Sequence, residues 1–126
     1  MSIETFIRAY VECALWSSTD NSDETGGEPL DKNYTADDIA PEARATMEAD
    51  CASFYNDPAN QEALALWDDS QAGHDFWLTR NGHGAGFWDR FTGGEEEKAG
   101  EHLTKASKPY GSCDLYVGDD GRIYCA

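Results

Sequence analysis

The first periodic pattern along the chain is helical. Between residues 3 and 15, apolar side chains recur three and four positions apart, which is the spacing of one face of an α-helix. Ser2 comes just before this run and can cap it. Charged residues at i,i+4 spacing line another face as two expected ion pairs: Glu4, Arg8 and Glu12. The pattern predicts an amphipathic helix that ends near Ser17.

Residues 18–33 interrupt this pattern. They contain almost no apolar side chain and many turn-forming residues, so they predict a long exposed loop. The loop is also the most acidic in the chain, with five carboxylates against one lysine: Asp20, Asp23, Glu24, Glu28 and Asp31.

A second helix is predicted after this loop. Thr35 and Asp38 have the spacing of a capping box, and Pro41 follows in the first turn or at a kink. The core face of the helix would consist of Ile39, Ala43, Met47, Cys51 and Phe54.

The third predicted helix has Asp57 as its N-cap and Pro58 as its first residue, and it continues until Gly73 stops it. Asp68 and Asp69 would then lie near a helix C-terminus, where the helix dipole disfavours negative charge by a few tenths to ~1 kcal/mol each. A basic partner would explain this placement, and so would simple tolerance at a surface position.

Residues 74–91 differ from the preceding segments because they are rich in aromatic residues and glycine. Aromatic and β-branched residues at 75–79 favour a strand, which the turn-forming pair Asn81-Gly82 would close. Residues 87–91 favour a short helix, residues 95–107 a longer one, and residues 113–126 a hairpin. These elements predict an α+β fold, a single helix-rich domain over residues 1–126. It would have about four helices and a small antiparallel sheet formed by the 75–79 strand and the C-terminal hairpin.

The net charge adds an expectation about partners. The 126 residues include 25 acidic and 9 basic ones, a formal net charge of −16. Such a chain is repelled by nucleic acid and anionic membranes and is attracted to basic surfaces, which in cells belong mostly to nucleic-acid-handling proteins. Sixteen charges correspond to ~27 Å of duplex DNA, which fits along a domain whose radius of gyration is ~14 Å. The alternative is that genome composition or a salt-adapted host accounts for the acidity, which then forms only a solvated surface.

Candidate chemistry is concentrated in residues 74–91. The residues there that suit a small ligand pocket are His74, Arg80, His83, Trp88 and Asp89. Their spacing matches no zinc motif, the glycines lack the lysine of a P-loop, and no nucleophile elbow is present. The sequence therefore predicts no catalytic residue, no metal and no cofactor, and a structural role for this stretch is the favoured interpretation.

The cysteines and the apolar content bear on the compartment. The four cysteines show no C-x-x-C pairing, so free and mostly buried thiols are favoured. A disulfide between Cys113 and Cys125 is the alternative, if the hairpin register brings them opposite each other. No run of about 18 apolar residues and no signal-peptide pattern occurs, so we expect a soluble, unexported protein that does not bind membranes.

Two segments also carry a resemblance. Residues 74–90 read H-D-F-W-L-T-R-N-G-H-G-A-G-F-W-D-R, and residues 114–121 read D-L-Y-V-G-D-D-G. This C-terminal half resembles a group of small acidic proteins of unknown function encoded by bacteriophages, prophages and plasmids. The N-terminal helices show no such match, and the G-G-E-E-E insert at 93–97, Cys113 and Cys125 depart from the group. The resemblance implies a mobile-element origin and the cytoplasm of a bacterial host, and it supplies no catalytic residues.

Charge and implied origin together favour one hypothesis. Small acidic proteins from mobile elements often occupy the DNA-binding surfaces of host defence proteins, so we expect a non-enzymatic DNA mimic that inhibits a restriction or CRISPR system. Its partner would be a basic nucleic-acid-binding protein, and it would not bind nucleic acid itself. The expected partner-binding residues are Asp20, Asp23, Glu24, Glu28, Asp37, Asp38, Glu42, Glu48, Asp50, Asp68 and Asp69. The alternatives are a ligand-binding protein or enzyme that uses the 74–89 pocket, and an adaptor with an exposed aromatic patch.

Overall fold

The structure is a computed structural model that describes residues 2–20, 28–82, 86–87 and 94–125, with the backbone alone at residues 19, 20, 28 and 95. These ranges contain five α-helices, which are α1 (Ile3–Ser17), α2 (Pro41–Asn56), α3 (Pro58–Leu64), α4 (Asp69–Arg80) and α5 (Gly94–Ser107). They also contain two antiparallel strand pairs, β1 (Thr19–Asp20) with β2 (Glu28–Pro29), and β3 (Leu115–Val117) with β4 (Ile123–Cys125). The helix-rich α+β fold predicted from the sequence is therefore confirmed.

Helix α1 packs against α4 with the two backbones in contact. A Cβ atom added at Gly73, in the interior of α4, would lie 2.1 Å from the carbonyl oxygen of Phe6 and 3.1 Å from the backbone nitrogen of Tyr10. Only glycine leaves room for this approach. The prediction that Gly73 ends a helix is therefore wrong, because the residue is used for close helix packing rather than for a helix stop.

The predicted strand at residues 75–79 is also wrong, since these residues belong to α4. Every residue from Asp75 to Arg80 is buried, so no polar face marks the 3.6-residue period of the helix. A short, fully buried helical run has the same hydrophobic signature as a buried strand. The sheet at the C-terminus consists instead of β3 and β4, and an isolated parallel bridge joins Ile123 to Ile39.

The third helix is shorter than predicted, so Asp68 and Asp69 do not lie near its C-terminus. Helix α3 ends at Leu64, and Asp68 is the N-cap of α4, where its side chain accepts a hydrogen bond of 2.7 Å from the backbone of Gln71. Asp69 is the first residue of α4. Both carboxylates thus lie at the helix end where the dipole favours negative charge.

Helix α2 begins where its proline predicts. Thr35 and Asp38 form the expected capping box, but it caps a 3-10 turn at Ala36–Asp38, and α2 starts at Pro41. The predicted core face is buried. Its Phe54 ring stacks on Phe76 of α4, with 4.1 Å between centroids and 12° between planes. One hydrophobic cluster includes buried side chains of all five helices and of the C-terminal strands.

The predicted acidic loop at residues 18–33 is anchored on its C-terminal side. Leu30 is fully buried, and its backbone nitrogen donates a 2.9 Å hydrogen bond to the carbonyl of Ser18. The short β1–β2 pairing lies beside this contact. Residues 21–27, which include Asp23 and Glu24, lie outside the described residues.

Cys113 and Cys125 form a disulfide across the C-terminal hairpin. The preference for free thiols is therefore wrong for this pair, because the register that places Leu115 opposite Cys125 brings the two Cα atoms to 5.9 Å. Cys13 and Cys51 are buried and take no part in a disulfide. Burial raises the pKa of the Cys51 thiol, so this thiol stays protonated.

The substitution Gly73→Ala tests the contact between α1 and α4. Helix propensity alone predicts a gain of about 1 kcal/mol in the free energy of unfolding, whereas the clash with the Phe6 carbonyl predicts a loss of about 1–3 kcal/mol. We expect the loss, measured by urea denaturation. Ser70→Ala, at an exposed position of the same helix, serves as the control and should change stability by no more than about 0.5 kcal/mol. A stabilised Gly73→Ala protein would contradict the contact.

Removal of the disulfide should destabilise the protein. The two cysteines are 12 residues apart, and closure of a loop of this size is worth about 3 kcal/mol. We expect the double variant Cys113→Ser/Cys125→Ser to lose about 2–3 kcal/mol of unfolding free energy relative to the oxidised protein. Reductant should lower the stability of the wild type by a similar amount and leave the variant unchanged. If reductant did not change the unfolding free energy of the oxidised wild type, the disulfide between Cys113 and Cys125 would be contradicted.

Candidate binding surface

The described surface carries far more negative than positive charge. Fifteen acidic residues are exposed, namely Glu4, Glu12, Asp31, Asp37, Glu42, Glu48, Asp57, Glu62, Asp68, Glu96, Glu97, Glu101, Asp114, Asp119 and Asp120. Six basic residues are exposed in the same ranges, namely Arg8, Lys32, Lys98, Lys105, Lys108 and Arg122. Of these fifteen acidic side chains, only Glu48 lies within 4 Å of a basic nitrogen, at 3.1 Å from Arg44. The surface therefore offers carboxylates whose charge the chain does not neutralise by direct pairing.

The expected ion pairs on α1 do not form. Arg8 makes no ion pair within 4 Å to Glu4 or Glu12 within the described part of the chain, although all three residues are exposed on one helix. Exposed pairs at this spacing contribute little, so their absence costs the helix at most a few tenths of a kcal/mol. It leaves both glutamates available to a partner.

Several predicted partner-binding residues have structural roles instead. Asp38 accepts a 2.8 Å hydrogen bond from the backbone of Thr35, and Asp68 caps α4. Asp69 accepts hydrogen bonds from the backbone nitrogen of Ser2 and, at 3.2 Å, from the hydroxyl of Tyr55. It thereby links the start of α1 and the last turn of α2 to the first turn of α4. The side chains of Asp38 and Asp69 are also only partly exposed.

Three other predicted partner-binding residues are better placed for a partner. Asp37 and Glu42 are exposed at the approach to α2, and Glu48 is exposed one to two turns further on, although it pairs with Arg44. The side chains of the remaining members, at 20, 23, 24 and 28, lie outside the described residues. The predicted partner-binding residues did not include the acidic residues of α3 and α5, among which Glu62, Glu97 and Glu101 are exposed.

Asp50 and Arg80 form a partly buried ion pair rather than separate parts of two sites, with the Arg80 side chain 5% and the Asp50 side chain 29% exposed. Their closest atoms, Arg80 Nη1 and Asp50 Oδ2, are 2.8 Å apart. Arg80 Nη1 also donates to the hydroxyl of Tyr10 at 3.0 Å, and Nε and Nη2 donate to the carbonyls of Gly111 and Tyr110 at 2.9 and 2.8 Å. Burial raises the pKa of Tyr10, so its hydroxyl stays neutral and can accept this bond. All three guanidinium nitrogens are thus hydrogen-bonded within the protein.

The predicted ligand pocket is not assembled from its described members. Arg80 is buried and makes four hydrogen bonds within the protein, whereas His74 is partly exposed and lies about 120° away around the axis of α4. The next residue along the helix, Asp75, is also buried, where it accepts hydrogen bonds from Trp67 at 3.1 Å and Gln71 at 2.9 Å. His83, Trp88 and Asp89 lie outside the described residues.

The structure shows a groove that was not predicted from the sequence. It lies between α1 and α4 and is lined by Ala9, Glu12, Cys13, Trp16, Ser70 and His74. Trp16 is 59% exposed, more than any other large hydrophobic residue described. The only signal in the sequence is that Trp16 follows the apolar stripe of α1 without belonging to it.

A second cleft lies between α3 and α5. Its lining includes the exposed Leu66 together with Glu62, Lys98 and His102. His102 Nε2 is 2.9 Å from the side-chain oxygen of Asn60, whose amide nitrogen donates to the carbonyl of Phe54 at 3.0 Å. These contacts join α5 to the α2–α3 corner, so His102 has a structural role.

The described residues contain no group of three or more His, Cys, Asp or Glu side chains arranged to hold a metal ion. Among the described helices, none combines the length and apolar character needed to cross a bilayer. Comparisons with protein-family models, curated proteins and solved structures find no match to this chain.

The ion pair of the buried Arg80 can be tested against the exposed pair of Arg44 and Glu48. Arg80→Met leaves a carboxylate, a hydroxyl and two carbonyls without their donor, and we expect a loss of about 3–5 kcal/mol in unfolding free energy. Arg44→Met breaks the exposed pair with Glu48 and should cost no more than about 1 kcal/mol. Urea denaturation of both variants provides the comparison. Equal losses in unfolding free energy would show that the hydrogen bonds of Arg80 stabilise the fold no more than an exposed ion pair does.

Proposed function

We propose that the chain binds a basic, nucleic-acid-binding protein of a bacterial host through its exposed carboxylates and so excludes nucleic acid from that protein. The chain would thus act as a DNA mimic that inhibits a restriction or CRISPR system. The observation that supports the proposal most directly is that fourteen of the fifteen exposed acidic residues described have no basic nitrogen within 4 Å. Such carboxylates can form charge-assisted, bidentate hydrogen bonds with arginines of a partner.

The acidic residues fall into buried or partly buried ones and exposed ones, and this division supports the same proposal. The carboxylates that stabilise the fold, such as Asp50, Asp69 and Asp75, are partly or fully buried and take part in hydrogen bonds. Some exposed carboxylates also have local contacts, since Asp68 caps α4 and Glu48 pairs with Arg44. Others, such as Glu4, Glu12 and Glu62, make no ion pair or side-chain hydrogen bond in the described part of the chain, and binding to a basic surface would reduce their mutual repulsion. The resemblance to mobile-element proteins gives such a partner a biological setting, a defence protein of the bacterial host.

This proposal predicts a protein partner that duplex DNA displaces. The wild-type chain, immobilised, would be exposed to bacterial proteins that were first retained on heparin. At least one captured nucleic-acid-binding protein should be released by duplex DNA. Its affinity should fall by roughly tenfold or more between 0.05 and 0.2 M salt, because the contacts are charged. If no captured protein is displaced by duplex DNA, or if its affinity does not change with salt, the proposal is wrong.

Two variants of equal charge change locate the binding surface. The first variant removes three unpaired carboxylates from the 3-10 turn at Ala36–Asp38, from α2 and from α3, and it is Asp37→Asn/Glu42→Gln/Glu62→Gln. The second variant removes three from α5 and the C-terminal segment, and it is Glu101→Gln/Asp114→Asn/Asp119→Asn. We expect the first to weaken binding of the captured protein by roughly tenfold and the second by much less. Equal weakening would indicate a nonspecific charge effect and would contradict mimicry by a defined surface.

A further inference from the structure

The groove between α1 and α4 is formed by residues of both helices. The helices run in the same direction, because their contacts advance together from Ser2–Asp69 to Ser17–Trp77. Within the groove, Glu12 and Trp16 lie one turn apart on α1, and Ser70 and His74 lie one turn apart on α4. The rings of Trp16 and His74 are 6.1 Å apart. An aromatic pair therefore lines the groove together with the carboxylate of Glu12 and the hydroxyl of Ser70.

The polar groups of this groove leave hydrogen-bonding capacity unused. Glu12 has no ion pair or side-chain hydrogen bond in the described part of the chain, and Nδ1 of His74 is buried there without a hydrogen-bond partner. Nδ1 lies 3.8 Å from a carboxylate oxygen of Asp75, which is too far for a hydrogen bond. The groove thus offers the carboxylate of Glu12 and an aromatic face, and no lysine or arginine is among its described lining residues.

We propose that this groove binds an arginine side chain of the basic partner, with the guanidinium stacked on Trp16 and hydrogen-bonded to Glu12. A guanidinium group carries five donors and no acceptor, and its planar face stacks on indole rings. Glu12 and Trp16 are four residues apart on α1, about one helical turn, so both side chains leave the same face of the helix and one guanidinium can contact both. A lysine ammonium can pair with Glu12 but lacks the planar face. The inference depends on the proposed function, because it names how the basic partner is recognised.

Peptides of equal charge test this site. Fluorescently labelled nona-arginine and nona-lysine would be titrated with the wild-type chain at 0.15 M salt, and binding would be followed by fluorescence polarisation. We expect nona-arginine to bind more tightly, by about 3- to 30-fold, because only arginine gains the stacking contact. Trp16→Ala and Trp16→Leu should both remove this difference, while nona-lysine affinity stays within about twofold. Glu12→Gln should weaken both peptides, since both lose the carboxylate.

The control is Tyr116→Ala, which removes another exposed aromatic side chain, 49% exposed, from the C-terminal hairpin. It should leave the arginine preference intact. Thermal denaturation of each variant confirms that it is folded, and Trp16→Leu keeps apolar bulk in the groove. If the wild type binds both peptides equally, or if Trp16→Ala keeps the arginine preference, the groove proposal is wrong and the acidic-surface proposal stands. If the wild type binds neither peptide, both proposals fail.

Discussion

The close approach of α1 and α4 at Gly73 is the constraint on which the other contacts depend. With no side chain at this position, the two backbones touch, and Phe6 and Tyr10 of α1 reach Phe76 and Trp77 of α4. The ring of Phe76 in turn stacks on Phe54, which brings α2 into the same core. A larger residue at 73 would separate the helices and disturb all of these contacts together. A glycine that costs an isolated helix about 1 kcal/mol is therefore favourable here.

The same packing divides the charged residues into two groups with different roles. Arg80 lies on α4 where Tyr10, Asp50 and the carbonyls before the C-terminal hairpin converge on its guanidinium. A buried cation is stable only when it is hydrogen-bonded, and the four hydrogen bonds of the Arg80 guanidinium fix the positions of three chain segments relative to one another. The exposed carboxylates of the described residues make at most local contacts, such as the hydrogen bond by which Asp68 caps α4. Their repulsion has to be outweighed by the buried contacts, so the strength of the core permits a surface of this charge.

Local signals predicted the elements that they control. The apolar spacing of α1, Pro41 and Pro58 at the starts of α2 and α3, and the alternating residues of the hairpin each act within a few positions, and the structure confirms them. Helix α4 was missed because all residues of its second half, from Asp75 to Arg80, are buried, which removes the helical periodicity there. The roles of Gly73 and Arg80 were missed for a different reason. Their partners lie about 30 to 70 residues away, and nothing near them in the sequence indicates those contacts.

The proposed groove and the acidic surface address different parts of recognition. Unpaired surface charge acts over a Debye length of about 8 Å at physiological salt, so it raises the rate of encounter with any basic protein but distinguishes poorly among them. Discrimination needs contacts with direction and shape, and the exposed indole of Trp16 beside Glu12 offers both. The groove exists because α1 and α4 run parallel and in contact. The glycine that fixes the core therefore also positions the feature best suited to select a partner.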